Sequence, residues 1–280
     1  MRTELQRRWP PPPYVPAAMR DSFHRLLDRL RARAVGMGFE RITAKGVLGE
    51  LLLLALALGA YYGVRLLVRD SGMEPLANAA ALLRLESTLN LDWEMPLQHV
   101  FLSHLDLVVH LLNFTYAWGY WLILAGSFGY LYLRRRDVYS RLRNAMIISG
   151  IIGFFVFASF PAAPPRLASV GILDTAQLAH SVLEEVTRPS ALTNENAAMP
   201  SFHFGWILLC GVCLAETLKR PVSKALVLLL PVIMGLTIIV TGNHYVVDAV
   251  AGGVLCLLAL VPGVLRQRRS EHEPPALQKV

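Results

Sequence analysis

Long apolar runs alternate with short polar stretches through most of this chain. Six runs approach the roughly 20 residues that a helix needs to cross a bilayer. They cover residues 46–68, 107–133, 145–160, 201–218, 225–241 and 245–265, and the third falls short of a full crossing. Between the first and second runs, residues 74–104 carry Leu76, Ala80, Leu83 and Leu91 among polar positions. That pattern predicts one or two helices lying at the membrane interface. Ahead of the first run, residues 1–45 are polar and basic, with consecutive prolines over 10–13 that favour an extended chain. Phe23, Leu26, Leu27 and Leu30 recur at helical spacing between arginines, which fits a basic amphipathic helix on an anionic membrane surface or a solvated tail. The whole pattern predicts an all-α polytopic membrane protein. It has an arm over 1–45, six transmembrane helices in one bundle with interfacial helices over 46–265, and a tail over 266–280.

Composition agrees with this. Of 280 residues, 54% are hydrophobic and 17% charged, with a mean hydropathy of +0.45, whereas soluble domains are about 25% charged. The net charge is +7, and the basic residues gather in 1–45, 134–143, 219–224 and 266–269. Each cluster abuts an apolar run, so the charge reads as a topology signal and not as a nucleic-acid footprint. With the basic N-terminus in the cytosol, successive crossings return every basic cluster to the cytosolic side. Three polar stretches then share the opposite face: Pro164-Pro165-Arg166, Pro200-Ser201-Phe202-His203 and His244-Tyr245-Val246-Val247-Asp248. The Ala/Leu/Arg-rich composition suggests a bacterial plasma membrane, and no cleaved signal peptide is expected. Cys210, Cys213 and Cys256 all lie in apolar runs, where thiols serve mainly as small packing residues despite the C-x-x-C spacing of the first two.

The convergent stretches carry chemistry suited to phosphate. Pro200 and Ser201 open the fourth run, where a helix N-terminus offers backbone N–H groups to an anion. Ser201 adds a hydroxyl and His203 a proton donor; the plainer alternative is a helix cap and an interfacial histidine. His244 and Asp248 are four residues apart, on one face of a helix. A carboxylate on one ring nitrogen would fix the tautomer and raise the basicity of the other, unless the pair is only structural. Arg166 offers a guanidinium fork for phosphate oxygens, or anchors the chain to headgroups. Zinc on His203, His244 and Asp248, or haem on two of His99, His104 and His110, would be alternatives. Without an H-E-x-x-H pattern, and with His244 already matched to Asp248, no metal or cofactor is expected.

These stretches resemble the type 2 phosphatidic acid phosphatase superfamily, whose pattern is K-x6-R-P, then P-S-G-H, then S-R-x5-H-x3-D. Residues 160–167 (FPAAPPRL), 197–203 (AAMPSFH) and 240–248 (VTGNHYVVD) look most like its inositolphosphotransferase branch, which includes inositol phosphorylceramide synthases. The resemblance implies metal-independent transfer through a phosphohistidine. His244 would be the nucleophile, Asp248 its orienting base, and His203 the acid and then the base. Arg166 and Ser201 would hold phosphate oxygens, with Asn196 and Asn243 as further neutral donors. The family's remaining cations are replaced: its lysine falls on Ser159 and its second arginine on Ile238, while Thr237 and Leu167 replace a serine and a proline. A site poor in cations accommodates a singly charged phosphodiester more easily than a doubly charged monoester. The expected activity is transfer of a phospho-headgroup such as phosphoinositol onto a lipid acceptor. A lipid phosphate phosphatase is the alternative, and a non-catalytic lipid carrier or scaffold a further one. The expected partners are membrane lipids and the bilayer, not nucleic acid.

Overall fold

The computed structural model describes residues 74–104, 106–168, 171–178 and 197–272, with positions 48, 49, 52 and 59. The basic arm, most of the first apolar run and Asn196 lie outside the described residues. The chain is helical throughout the described part. Helix α1 (Pro75–Leu89) starts on a proline, whose missing N–H costs nothing there. It ends at Asn90, in the left-handed region at φ 55°, whose N–H closes on Glu86 and Ser87 carbonyls. Ala79, Leu82 and Glu86 form its buried stripe. Helix α2 (Glu94–His104) follows a short turn. Leu76, Leu85 and Leu89 on α1, with Trp93, Met95 and Val100, are exposed, as suits helices lying in the headgroup region.

Helix α3 (Asp106–Phe114) passes through a π-helical turn (Thr115–Gly119) into α4 (Tyr120–Arg134). Then come α5 (Arg136–Ser159), a 3-10 turn (Pro165–Leu167), the short α6 (Thr175–Leu178), α7 (Phe202–Thr217), α8 (Pro221–Val240) and α9 (Val246–His272). Among the described residues, four helices are long and apolar enough to cross a membrane: Leu107–Arg134, Arg136–Ser159, Pro221–Val240 and Val246–Arg268. Helix α7 is apolar but shorter.

Three helix bounds differ from the sequence reading, one of them the start of α8, at Pro221 and not 225. The run placed at 145–160 begins at Arg136, because its polar start is drawn into the bundle: Arg141 is buried against the Glu216 carboxylate of α7. At the other end, residues 266–272 of the expected tail continue α9.

Helix α7 is central, lying against α4, α5, α8 and α9. It buries Ile207, Leu209, Cys210 and Cys213, and the three cysteines are free thiols in this core. The approach of α7 to α9 depends on glycine. A Cβ on Gly252 would lie 2.1 Å from the Ser201 carbonyl oxygen, and one on Gly205 2.6 Å from the Gly252 carbonyl oxygen.

Candidate active site

The ends of α5, α7, α8 and α9 meet at one end of the bundle, and backbone hydrogen bonds join the three polar stretches there. Ala198 and Arg166 donate their N–H groups to the Ala162 and Gly242 carbonyls, at 3.2 and 3.1 Å. Ser201 N–H reaches the Asp248 carbonyl at 3.0 Å. The Tyr245 hydroxyl donates to the Ala163 carbonyl at 3.2 Å. Segments separated by 30 residues or more in the chain are thereby fixed against one another. Gly242, at φ +69°, makes the turn between α8 and α9, and a Cβ there would press on the Leu173 carbonyl at 3.0 Å.

His244 is buried at the centre of this junction. Its Nδ1 lies 2.8 Å from the Ala198 carbonyl oxygen and 3.5 Å from Asp248 Oδ2. A carbonyl oxygen only accepts, so the shorter contact requires a proton on Nδ1 and leaves the lone pair on Nε2. The carboxylate expected from sequence is present, but a backbone carbonyl is the nearer partner. Asp248 Oδ2 accepts from Tyr245 N–H at 2.9 Å. Asp248 therefore caps the helix it belongs to, as an acid at the third helical position does in a capping box.

The His203 ring centroid is 5.8 Å from that of His244. His203 is held between two tyrosines from the π-helical turn and the helix after it. Tyr116 stacks at 4.3 Å with an interplanar angle of 16°, and Tyr120 tilts against it at 4.4 Å. A π-turn places side chains in a register that an uninterrupted helix would not. Ser201 is buried and caps α7, its hydroxyl oxygen 3.5 Å from Phe204 N–H; the hydroxyl proton is still available to an acceptor.

Arg166 is nearly buried, and its Nε donates to Asp174 Oδ2 at 3.0 Å. Asp174 is positioned by α2: Gln98 Oε1 accepts from Leu173 N–H at 2.8 Å, while its Nε2 donates to the Leu173 and Val240 carbonyls at 2.9 Å each. The Asn243 amide nitrogen donates to Thr241 Oγ1 at 2.7 Å, which takes one of its two N–H donors. At the positions where the resemblance expects further cations, Ile238 is fully buried and its carbonyl accepts from Asn243 and His244 N–H. Ser159 bonds back to the Phe155 carbonyl.

Two further carboxylates reach the start of α9. Glu94 Oε1 accepts from Val246 N–H at 2.7 Å, and Glu86 Oε1 from Val247 N–H at 2.8 Å. Burial pushes the Glu86 carboxyl up to about 8, with Glu94 adding to the rise, and burial raises Glu94 as well. The two carboxyls are neighbours, so ionising both costs more than ionising one.

The structure thus brings Arg166, Ser201, His203, Asn243, His244 and Asp248 to one end of the bundle. It adds the Ala198 carbonyl, Tyr116, Tyr120, Asp174, Glu86 and Glu94. A buried imidazole with its Nε2 lone pair available, a second imidazole one ring-width away, and a guanidinium nearby form a set able to pass a phosphoryl group and a proton.

The family model described as PAP2 superfamily matches residues 80–261. No curated protein matches the chain, and no solved structure does.

Proposed function

Because the chain belongs to the PAP2 superfamily, whose members are phosphatases or phosphotransferases acting on lipid phosphates, we propose that it transfers a phospho-headgroup between membrane lipids. The favoured donor is a phosphodiester such as phosphatidylinositol, and the acceptor a lipid alcohol. Nε2 of His244 attacks phosphorus, forming an N–P bond as the P–O bond to diacylglycerol breaks. His203 gives its proton to the departing glycerol oxygen. It then takes the proton of the acceptor hydroxyl, which attacks phosphorus and releases His244. Arg166 and Ser201 bind phosphate oxygens, and no metal takes part.

One observation carries this reading: His244 Nδ1 is satisfied at 2.8 Å by an acceptor-only group, with His203 at 5.8 Å. The lone pair is then on the nitrogen that must attack. The preference for a diester is supported by the charge partners. Arg166 shares its charge with Asp174, and Asp248, Glu86 and Glu94 are buried close to His244. Such a site accommodates one negative charge on phosphate more easily than two.

Topology follows the same logic. The sequence of residues 46–68, with the four long apolar helices and α7, is the basis for the proposed six crossings. Arg134, Arg136, Lys219 and Lys224 lie at the helix ends away from the site, which supports a topology with those ends and both termini in the cytosol and the site on the extracytoplasmic face of a plasma membrane.

The test is product analysis by mass spectrometry. Wild type and His244→Ala are each given phosphatidylinositol, a lipid phosphate monoester and a lipid alcohol, with a chelator present. A headgroup on the acceptor with wild type alone is the expected result. Free phosphate from the monoester without transfer would make the protein a lipid phosphatase, and no His244-dependent product would leave a carrier or scaffold.

A further inference from the structure

We propose that Glu86 and Glu94 are positioning residues for His244: from two different helices they clamp the first turn of α9 and thereby hold the imidazole that precedes it. This rests on the reading of His244 as the nucleophile. The first N–H groups of a helix have no partner within it. At α9 three are taken by carboxylates from three different helices: Tyr245 by Asp248 of α9 itself, Val246 by Glu94 of α2, and Val247 by Glu86 of α1. Helices α1 and α2 contribute none of the three polar stretches that form the site. Glu86 is fully buried, and its Oε2 has no hydrogen-bond partner among the described residues. Beside it, the Tyr245 ring is fully buried against α1 among Ala79, Leu82, Ala163 and Ala198. The amide of Ala198 is fixed in turn, and its carbonyl is the partner of His244 Nδ1. Loosening the α9 turn would therefore release His244 from the acceptor that sets its tautomer.

The clamp has a charge condition. Facing Glu86 are Glu94 from α2 and Asp248 from α9, while Tyr245, beside the pair, feels all three, and His244 lies against Asp248. While Glu86 keeps its proton, the two neighbouring carboxyls do not repel each other. Loss of that proton, near the value of about 8 to which burial raises Glu86, sets two anions side by side next to Asp248. Their repulsion opens the clamp.

The experiment compares wild type, Glu86→Gln, Glu86→Ala and Glu94→Gln in two assays from about pH 6 to about pH 10. The first is kcat and KM for headgroup transfer. The second needs no substrate: carbethoxylation of His244, followed by mass spectrometry and referred to the exposed His99. Wild-type kcat should fall on an alkaline limb near pH 8. Glu86→Ala should lose about tenfold or more in kcat with KM little changed, and its His244 should be modified faster. In Glu86→Gln the amide oxygen can accept from Val247 as the carboxylate does and the side chain carries no charge, so it should restore most of that loss and abolish the limb. Glu94→Gln replaces the acceptor with a group that still serves Val246, and should shift the limb. An alkaline limb that persists in Glu86→Gln, or His244 modification indifferent to Glu86→Ala, would overturn the proposal. If wild type shows no His244-dependent transfer while the modification pattern is as expected, the clamp stands and the assigned reaction falls.

Discussion

Gly252→Ala offers the sharpest test of how the site is assembled. The added Cβ would lie 2.1 Å from the Ser201 carbonyl oxygen, 2.9 Å from its carbonyl carbon and 3.1 Å from its nitrogen. All three are backbone atoms at the start of α7, so no side-chain rotation relieves the clash. Ordinary contact requires withdrawal of α7 from α9 by about 1 Å, and a misplacement of that size costs about 10²-fold in rate when it falls on reacting groups. Here it does, because the same approach carries the Ser201 N–H to Asp248 carbonyl bond at 3.0 Å and sets His203 against His244. Overpacking of this kind destabilises by about 1–3 kcal/mol. The expected result is a loss of about 10² in kcat/KM for headgroup transfer, with a melting midpoint in detergent lowered by several degrees. Gly126→Ala on α4 is the control. Nothing lies within 4 Å of its Cβ, and alanine suits a helix better than glycine by about 1 kcal/mol, so activity and midpoint should be kept. Wild-type kcat/KM in Gly252→Ala would refute the claim that this helix approach sets the reacting geometry. A lower midpoint with full activity would refute it equally.

Three other outcomes follow from the site. Asp248→Asn should cost much less in kcat than His244→Ala, because the Ala198 carbonyl still fixes the imidazole at 2.8 Å; equal losses in steady-state kinetics would mean that the 3.5 Å carboxylate contact dominates. Asp174→Asn removes the charge that Arg166 shares at 3.0 Å, so the kcat/KM ratio of a phosphate monoester to a diester should rise several-fold, and an unchanged ratio would sink the charge account. Burial raises Glu86 from 4.5 to about 8, so between those values the folded protein holds a proton that the unfolded chain has released. Its contribution to stability is complete below the lower value and is lost as pH rises through the upper one. The thermal midpoint should decline across that window in wild type and decline less in Glu86→Gln.

The convergence of the site was legible because spans alternate in direction, so polar residues at the right ends of apolar runs must share a face. The carboxylate pair was not legible, for a physical reason. In a soluble helix the apolar stripe marks the core, but beside lipid an apolar residue is at home on either side. Leu76 and Ala80, part of the apolar pattern that predicted interfacial helices, are exposed, while the buried stripe is Ala79, Leu82 and Glu86. A carboxylate at the end of that stripe was the available signal. Asp174 left no signal, since it meets Arg166 across a 3-10 turn and a loop with no periodicity to read. The Ala198 carbonyl is a backbone atom, and no motif spells one out. Arg141 was read as part of a basic flank, but it pairs inside the bundle with Glu216, which is why α5 begins nine residues before the apolar run.

Two helix N-termini meet at this site, and their different loading argues for the division of labour on the proposed reading. An N-terminus carries about half a positive charge and attracts phosphate. At α9 Asp248, Glu94 and Glu86 already occupy the N–H groups of three successive residues. A phosphate is therefore turned away from the start of α9, although the nucleophile is there. At α7 the cap is a neutral hydroxyl at 3.5 Å, and the charge of that terminus remains available beside Ser201 and His203. Phosphate then binds on the α7 and Arg166 side and meets His244 from across the junction. The carboxylates behind His244 favour the positive charge that its ring gains as the N–P bond forms. That same negative field weighs against a doubly charged monoester, which is why the arrangement suits passing a diester's headgroup onward more than stripping phosphate from a lipid.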